Sequence, residues 1–231
     1  MTAMFRDRSH AGRELAAELK RLDLPDPVVL ALPPGGVPVA VEVARALEAP
    51  IDLLLVRKVA APGNPELCVA AIVDGTPPDV VINREIIEAY GLDDDTLRLL
   101  ITENRPESDT GRAAYANRRR QLSVRGKTVI LVDDGIATGT TVKMALRALR
   151  RREPGAVVLA VPVAPAEVAD ELAPEADRIV CLSRPGRFRA LSFHYRDFPE
   201  LSHDEVVELM KAAHLARKAA LTAKRQQVQT E

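Results

Sequence analysis

Four consecutive aliphatic residues, Val129 to Val132, run directly into two carboxylates, Asp133 and Asp134, and then into a loop of small and hydroxylated residues, Gly135 to Thr141. An unbroken β-type run is the pattern of a strand covered on both faces, the condition of a strand inside a parallel sheet. Gly135, Ala137 and Gly139 allow close backbone approach, and Thr138, Thr140 and Thr141 add hydroxyls. The stripe Val142, Ala145, Leu146 and Leu149 then predicts a helix, stopped by Pro154-Gly155. Free N–H groups and the positive dipole end at such a helix start favour an anion, while carboxylates just upstream suit vicinal hydroxyls on the same ligand. Acids at a strand end and Gly/Thr helix caps are each common alone. Their ordered combination predicts a site for a sugar phosphate.

The rest of the chain repeats the pattern. Pro27 introduces the apolar run Val28 to Leu32, Pro33-Pro34-Gly35-Gly36 breaks it, and Val39, Val43 and Leu47 mark a helical face. Ile51 to Val56 reads as a third strand ending in Arg57-Lys58, and Val157 to Val163 and Arg178 to Leu182 as two more, with Pro165 to Leu172 a crossover helix between them. Strands alternating with helices predict an α/β fold with a mainly parallel sheet, in which the loops after Leu32, Val56 and Val132 share one edge. Between them, Pro62-Gly63-Asn64-Pro65 reads as a loop before two short strands, Leu67 to Val73 and Val80 to Ile82, which predicts a mobile hairpin. Helices are expected at Ser9 to Leu22 with Ser9 as N-cap, at Arg84 to Arg105 with a break near Gly91, and at Ser202 to Leu221 with Ser202 and Glu205 as a capping box. The polar stretch Glu107 to Arg125, with Arg112 and Arg118 to Arg120, reads as a solvated helix or linker, and the basic run past Glu208 as a solvated tail.

Composition excludes several classes of function. Of 231 residues 47% are hydrophobic and 28% charged, the balance of a globular chain with one substantial core, while only 3% are aromatic, so the core is aliphatic. The net charge of −1 supplies no global field for nucleic acid or an anionic membrane surface. Cys68 and Cys181 lie in apolar runs without metal-ligand spacing and read as small buried hydrophobes in a reducing compartment. The charged N-terminus does not resemble a signal peptide, and no apolar run approaches the roughly 20 residues of a membrane span, so a cytoplasmic protein is expected. The few aromatics cluster in Arg184 to Phe198, where Phe188, Phe193, Tyr195 and Phe198 form either a base-stacking surface or a mini-core. His194, within that run, reads as a surface residue.

The VILVDDGIATGTT segment resembles the 5-phosphoribosyl-1-pyrophosphate (PRPP) motif of type I phosphoribosyltransferases, and the FRDR start, PGNPEL loop and YRDF hood are similar to those of a bacterial subgroup without an assigned acceptor. The resemblance implies a Rossmann-like parallel sheet flanked by helices, with a β-hairpin flexible loop and a C-terminal hood. It places one phosphoribosyltransferase domain at 1–201, the hood mainly at 183–201, and a C-terminal helix and basic tail at 202–231. It implies that Asp133 and Asp134 face the ribose hydroxyls and approach Mg²⁺ through those hydroxyls or water, and that Ala137, Thr138, Gly139, Thr140 and Thr141 cradle the 5-phosphate. Pro34, Gly35 and Gly36 would hold pyrophosphate together with Arg57 and Lys58, which would also stabilise it as leaving group.

By the same resemblance Asn64 and Glu66 lie on the flexible loop, and Phe193 and Tyr195 would contact the base. The implied reaction moves phosphoribosyl from PRPP to a nitrogenous base; a sensor that binds PRPP or a nucleotide without transfer is the competing expectation. Ala137 stands where 6-oxopurine transferases typically carry an aspartate, which argues against hypoxanthine or guanine and leaves the acceptor open. Small-molecule substrates are implied, nucleic acid and membrane are not, and a homodimer is compatible. Asp133→Asn combined with Asp134→Asn is expected to abolish PRPP binding and leave the fold intact.

Overall fold

The computed structural model describes residues 5–75, 77–104 and 121–228, so the arginines at 112 and 118–120 lie outside the described residues. Five strands, β1 (Pro27–Ala31), β2 (Ile51–Leu53), β6 (Thr128–Val132), β7 (Ala156–Val163) and β8 (Arg178–Ser183), form one sheet in the order β2-β1-β6-β7-β8, with every pairing parallel. The three remaining strands, β3 (Val56–Ala61), β4 (Asn64–Val73) and β5 (Asp79–Ile82), make a separate antiparallel sheet.

The aliphatic runs explain this arrangement. Val28, Leu30, Val129, Leu131, Val157 and Leu159 point to one face of the parallel sheet, where α5 (Thr140–Arg150), α6 (Ala166–Leu172) and part of the antiparallel sheet cover them. Val29, Ala31, Ile130, Val132, Val158 and Ala160 point to the other, under α1 (Arg8–Leu19), α2 (Gly36–Ala46) and the first turns of α7 (His203–Val228). Each fully buried Val or Leu contributes about 1.5–3 kcal/mol relative to exposure, and β6, buried at every position, is central to both layers. The fold is therefore the expected α/β class. Among the described residues no helix is long and apolar enough to cross a membrane.

Local structure departs from the sequence expectation in three places. The run Ile51 to Val56 is not one strand: Leu54 still donates its N–H to the Ala31 carbonyl, but Leu55 pairs with Asp74 and carries the chain into the antiparallel sheet. Helix α1 starts one turn's edge earlier than Ser9, because the Asp7 carboxylate accepts the His10 N–H at 2.6 Å and is the N-cap. Two helices, α3 (Arg84–Tyr90) and α4 (Asp94–Glu103), flank Gly91 as anticipated, and the Ser202–Glu205 capping box forms, although α7 runs on to Val228.

The strand order matters most for function. From β1 the chain crosses through α2 to β2 on one side, whereas from β6 it crosses through α5 to β7 on the other. Adjacent strands whose connections leave in opposite directions open a crevice at their carboxyl ends, the usual ligand site of open α/β sheets.

Candidate active site

That crevice lies between the loop after β1 and the loop after β6. The Leu32 N–H donates to the Val132 carbonyl at 2.9 Å, which prolongs the pairing to the rim. Beyond it the loops come so close that a Cβ on Gly35 would sit 2.2 Å from an Asp134 carboxylate oxygen, and one on Gly36 would sit 2.7 Å from the Val132 carbonyl. Any side chain at either position would push the acidic pair aside. This, rather than a cluster of free N–H groups, is what the double glycine supplies. Gly36 donates its N–H to the Leu32 carbonyl at 3.0 Å, Val37 donates to the Pro34 carbonyl at 3.2 Å, and Pro34 has none to give. Of Pro34, Gly35 and Gly36, expected to hold pyrophosphate, Gly35 alone keeps an N–H without an acceptor among the described residues.

Asp133 and Asp134 are adjacent in sequence and differ in circumstance. Asp134 is 7% exposed, and its carboxylate accepts from Arg8 Nε at 2.7 Å. The Arg8 guanidinium also donates to the Pro199 carbonyl at 2.7 Å and lies 3.7 Å over the Phe198 ring. The Asp134 backbone carbonyl accepts from the Tyr195 hydroxyl. Asp134 is therefore turned into the protein, a correction to the expectation that both carboxylates face a ligand.

Asp133 keeps part of its surface open, and one of its oxygens accepts the Asp134 N–H at 2.8 Å. Enough protein surrounds its carboxyl that burial, followed by the neighbouring Asp134 charge, pushes its pKa well above the ordinary carboxylate range. A cation or hydroxyl donors would relieve that strain. Among the described residues no three His, Cys, Asp or Glu side chains gather as a metal cage. A single partly exposed aspartate instead suits Mg²⁺, which keeps much of its water and is commonly held through one or two carboxylates and substrate oxygens.

Past Asp134 the loop is pinned by the Ile136 N–H, which donates to the Val163 carbonyl at 2.8 Å. Ala137 and Thr138 are then exposed, and Gly139, at φ +75°, turns the chain into α5 in a left-handed conformation that favours glycine. Among the described residues the N–H groups of Ala137, Thr138 and Gly139 have no acceptor, and no side chain caps α5. With Thr140 and Thr141 following, this helix start presents consecutive donors and a positive dipole end to the crevice.

The other predicted residues are placed less uniformly. Arg57 and Lys58 do not end a parallel strand but open β3, where successive side chains take opposite faces. Lys58 shares the face of Val56, which packs on the main core, whereas Arg57 shares that of Val59, beneath α4, so the pair cannot converge on one anion. Asn64 begins β4 at the hairpin turn and donates from Nδ2 to the Tyr90 hydroxyl at 3.2 Å. The backbone of Glu66 lies in β4, and its side chain lies outside the described residues.

Phe193 is 63% exposed in the turn Leu191–His194, with the Arg189 guanidinium 5.9 Å from its ring. Tyr195 is corrected from base contact to core: it is 4% exposed and packed between Phe5 and Phe198, with centroids at 5.5 and 4.9 Å. His194, expected at the surface, is buried, stacks on Phe188 at 5.5 Å, and has its pKa lowered by burial.

Sequence reasoning missed Arg8 and the purpose of Tyr195. Phe5 and Arg6 run beside Tyr195 to Asp197 through three backbone bonds of 2.8 Å, which carry the N-terminal arm across the hood and deliver Arg8 beneath Asp134. The signal available was the FRDR cluster itself, an arginine that faces a carboxylate 126 residues away. Removing only the hydroxyl with Tyr195→Phe is expected to lower stability by about 1–3 kcal/mol, because the Asp134 carbonyl stays buried without its donor. Urea denaturation measures this, and an unchanged midpoint would show that the hydroxyl carries no structural role.

A family profile described as the phosphoribosyl transferase domain matches residues 6–192. A Mycobacterium tuberculosis protein, provisionally named a phosphoribosyl transferase in strains CDC 1551 and H37Rv, is 40% identical over 211 residues, covering 91% of this chain and 47% of the relative. This chain thus spans about half the length of the curated relatives it matches. The crystal structure of TT1426 from Thermus thermophilus superposes with a TM-score of 0.80 at 40% identity, covering 90% of this chain and 97% of that one.

Proposed function

The chain belongs to the phosphoribosyl transferase domain family, and on that premise we propose that it is a Mg²⁺-dependent transferase that moves 5-phosphoribosyl from PRPP to a nitrogenous base, releasing pyrophosphate. The observation that carries the reading is the pairing, in the switch-point crevice, of the partly exposed Asp133 with the N–H groups of Ala137 to Gly139, which have no acceptor among the described residues. The donors suit a terminal phosphate and the carboxylate suits ribose hydroxyls one sugar's reach away. Thr138, Thr140 and Thr141 add hydroxyl donors at the phosphate, and the open surface of Phe193 is the available aromatic face for a base.

In the reaction the bond from C1 of the sugar to the pyrophosphate oxygen breaks, and the electron pair leaves with pyrophosphate. The acceptor nitrogen then forms the new bond to C1, and its proton passes to solvent. Bound Mg²⁺ supplies charge neutralisation at the pyrophosphate, and Asp133 is the residue that would hold it through ribose hydroxyls or water. Asp133 also stabilises positive charge developing on the sugar, Lys58 faces the negative charge gathering on the leaving group, and the Gly35 N–H lies at the rim to orient it. Alanine at 137 cannot exchange a proton with the base. Catalysis accordingly rests on positioning and charge. On closure the hairpin carrying Asn64 and Glu66 would cover the crevice, where exclusion of water protects an oxocarbenium-like sugar from hydrolysis.

The test is to incubate the protein with PRPP, Mg²⁺ and a panel of purine and pyrimidine bases and to follow pyrophosphate. Release is expected with at least one base and is expected to stop on chelation. PRPP binding without base-dependent release across the panel would move the assignment to a PRPP sensor, and no binding would reject the site.

A further inference from the structure

Beside the loop after β6 lies a cavity of about 350 Å³, between α5, the end of β5 with the start of α3, and α6. It shares Thr138, Gly139 and Thr140 with the loop but contains neither Asp133 nor Asp134, nor any part of the Gly35-Gly36 turn. Its lining is cationic on balance: Arg84, Lys143, Arg147 and Arg151 against Glu85 and Glu171.

Two of these cations already have duties. Arg147 is paired with Glu175 at 2.7 Å, and Arg151 donates to the Val80 carbonyl at 2.9 Å. The side chains of Arg84 and the half-buried Lys143 have no hydrogen-bond or ion-pair partner among the described residues. The half-buried Lys143 and the exposed Arg84 are thus both free to pair with an anion.

The remainder of the lining is apolar. Val168 and Leu172 of α6 and Ile82, an exposed aliphatic at the end of β5, give the cavity a wall suited to a planar or aliphatic group. A volume near 350 Å³, a cationic side and an apolar wall together match a small amphiphilic anion better than a bare ion or a polymer backbone.

We propose that this cavity is a binding site for a phosphorylated small molecule of the nucleotide class, its phosphates on Lys143 and Arg84 and its base against Val168 and Ile82. The occupant touches Thr138 to Thr140, part of the segment proposed to hold the 5-phosphate at the crevice. It is therefore coupled to ligand binding there, and this coupling, unlike the site itself, rests on the phosphoribosyl reading.

ATP and inorganic triphosphate serve as probes, titrated calorimetrically without Mg²⁺ into wild type, Arg84→Gln/Lys143→Gln and Asp133→Asn. ATP affinity is expected to fall about tenfold or more in the double variant, the scale of losing charge-assisted phosphate contacts, and to hold in Asp133→Asn. Triphosphate is expected to bind more weakly than ATP. Retention of ATP affinity in the double variant would place ATP elsewhere on the protein and overturn the proposal, as would no ATP binding at millimolar concentration. Equal affinity for triphosphate would overturn the nucleotide assignment. PRPP titrated into the same proteins separates the two readings: failure of PRPP to bind wild type, with ATP binding that depends on Lys143, would sink the transferase and leave this site standing.

Discussion

Arg8→Ala is expected to destabilise the protein by about 3–5 kcal/mol, the cost of stripping the partner from a buried charge. Both side chains of the Arg8–Asp134 pair are 10% exposed, so water cannot replace the guanidinium when it is lost. The variant also forfeits the donation to the Pro199 carbonyl and the stack on Phe198, and with them the seam between the N-terminal arm and the hood. Arg8→Lys keeps the charge but not the planar fork, and should fall between wild type and alanine. Denaturant midpoints measure the series. A double-mutant cycle with Asp134→Asn isolates the pair: the combined variant should be less destabilised than the sum of the singles, since neither charge is then left alone. Additive losses, or an Arg8→Ala variant within about 0.5 kcal/mol of wild type, would show that the pair carries no weight.

This geometry changes how the acidic pair should be probed. Neutralising both aspartates at once was the natural experiment from sequence, where the two look equivalent. Asp134→Asn leaves Arg8 buried without its counter-charge, so a loss of PRPP binding in the double variant would confound a damaged fold with a damaged site.

The sheet was legible because its determinant is local. Val28 to Leu32, Val129 to Val132 and Val157 to Val163 are apolar on both faces, and only a strand inside a covered sheet needs that. The loop and helix after β6 were legible for the same reason, since Gly139 and the helix stripe behind it lie within a few residues. The run Ile51 to Val56 failed because periodicity registers burial and not which sheet does the burying; Leu53, Leu54 and Leu55 remain apolar while the chain leaves one sheet for another. Arg57 and Lys58 were misplaced with it. The different fates of Asp133 and Asp134 were illegible because the deciding partner, Arg8, is far away in sequence. Tyr195 was misassigned for a related reason: in an aromatic-poor chain any ring near the hood looks like a base platform, and only the third dimension reveals Phe5 and Phe198 on either side of it.

Asp133→Asn is expected to separate function from stability, losing activity while the fold becomes firmer. The carboxyl is nearly isosteric with the amide, and unlike Asp134 it has no buried cation that would be orphaned. Its pKa in the folded state is raised by burial and by the Asp134 charge, so folding favours its protonated form. From the ordinary carboxylate value of about 3.9 upward, the native state binds more protons than the unfolded state, and stability falls as pH rises until the folded group has ionised. Above that point the whole penalty is present, and an asparagine does not suffer it. With chelator present, urea midpoints from about pH 4 to about pH 8 should therefore show a shallower decline in Asp133→Asn than in wild type, and higher stability at the neutral end. The same substitution neutralises the partly exposed aspartate of the crevice. If the proposed transfer is correct, kcat/KM for PRPP should fall by about 10²–10³-fold, as when a site loses a preorganised electrostatic group. A variant that turned over PRPP normally would remove Asp133 from the reaction, and one less stable than wild type at neutral pH would show that its charge is held by partners in the native state.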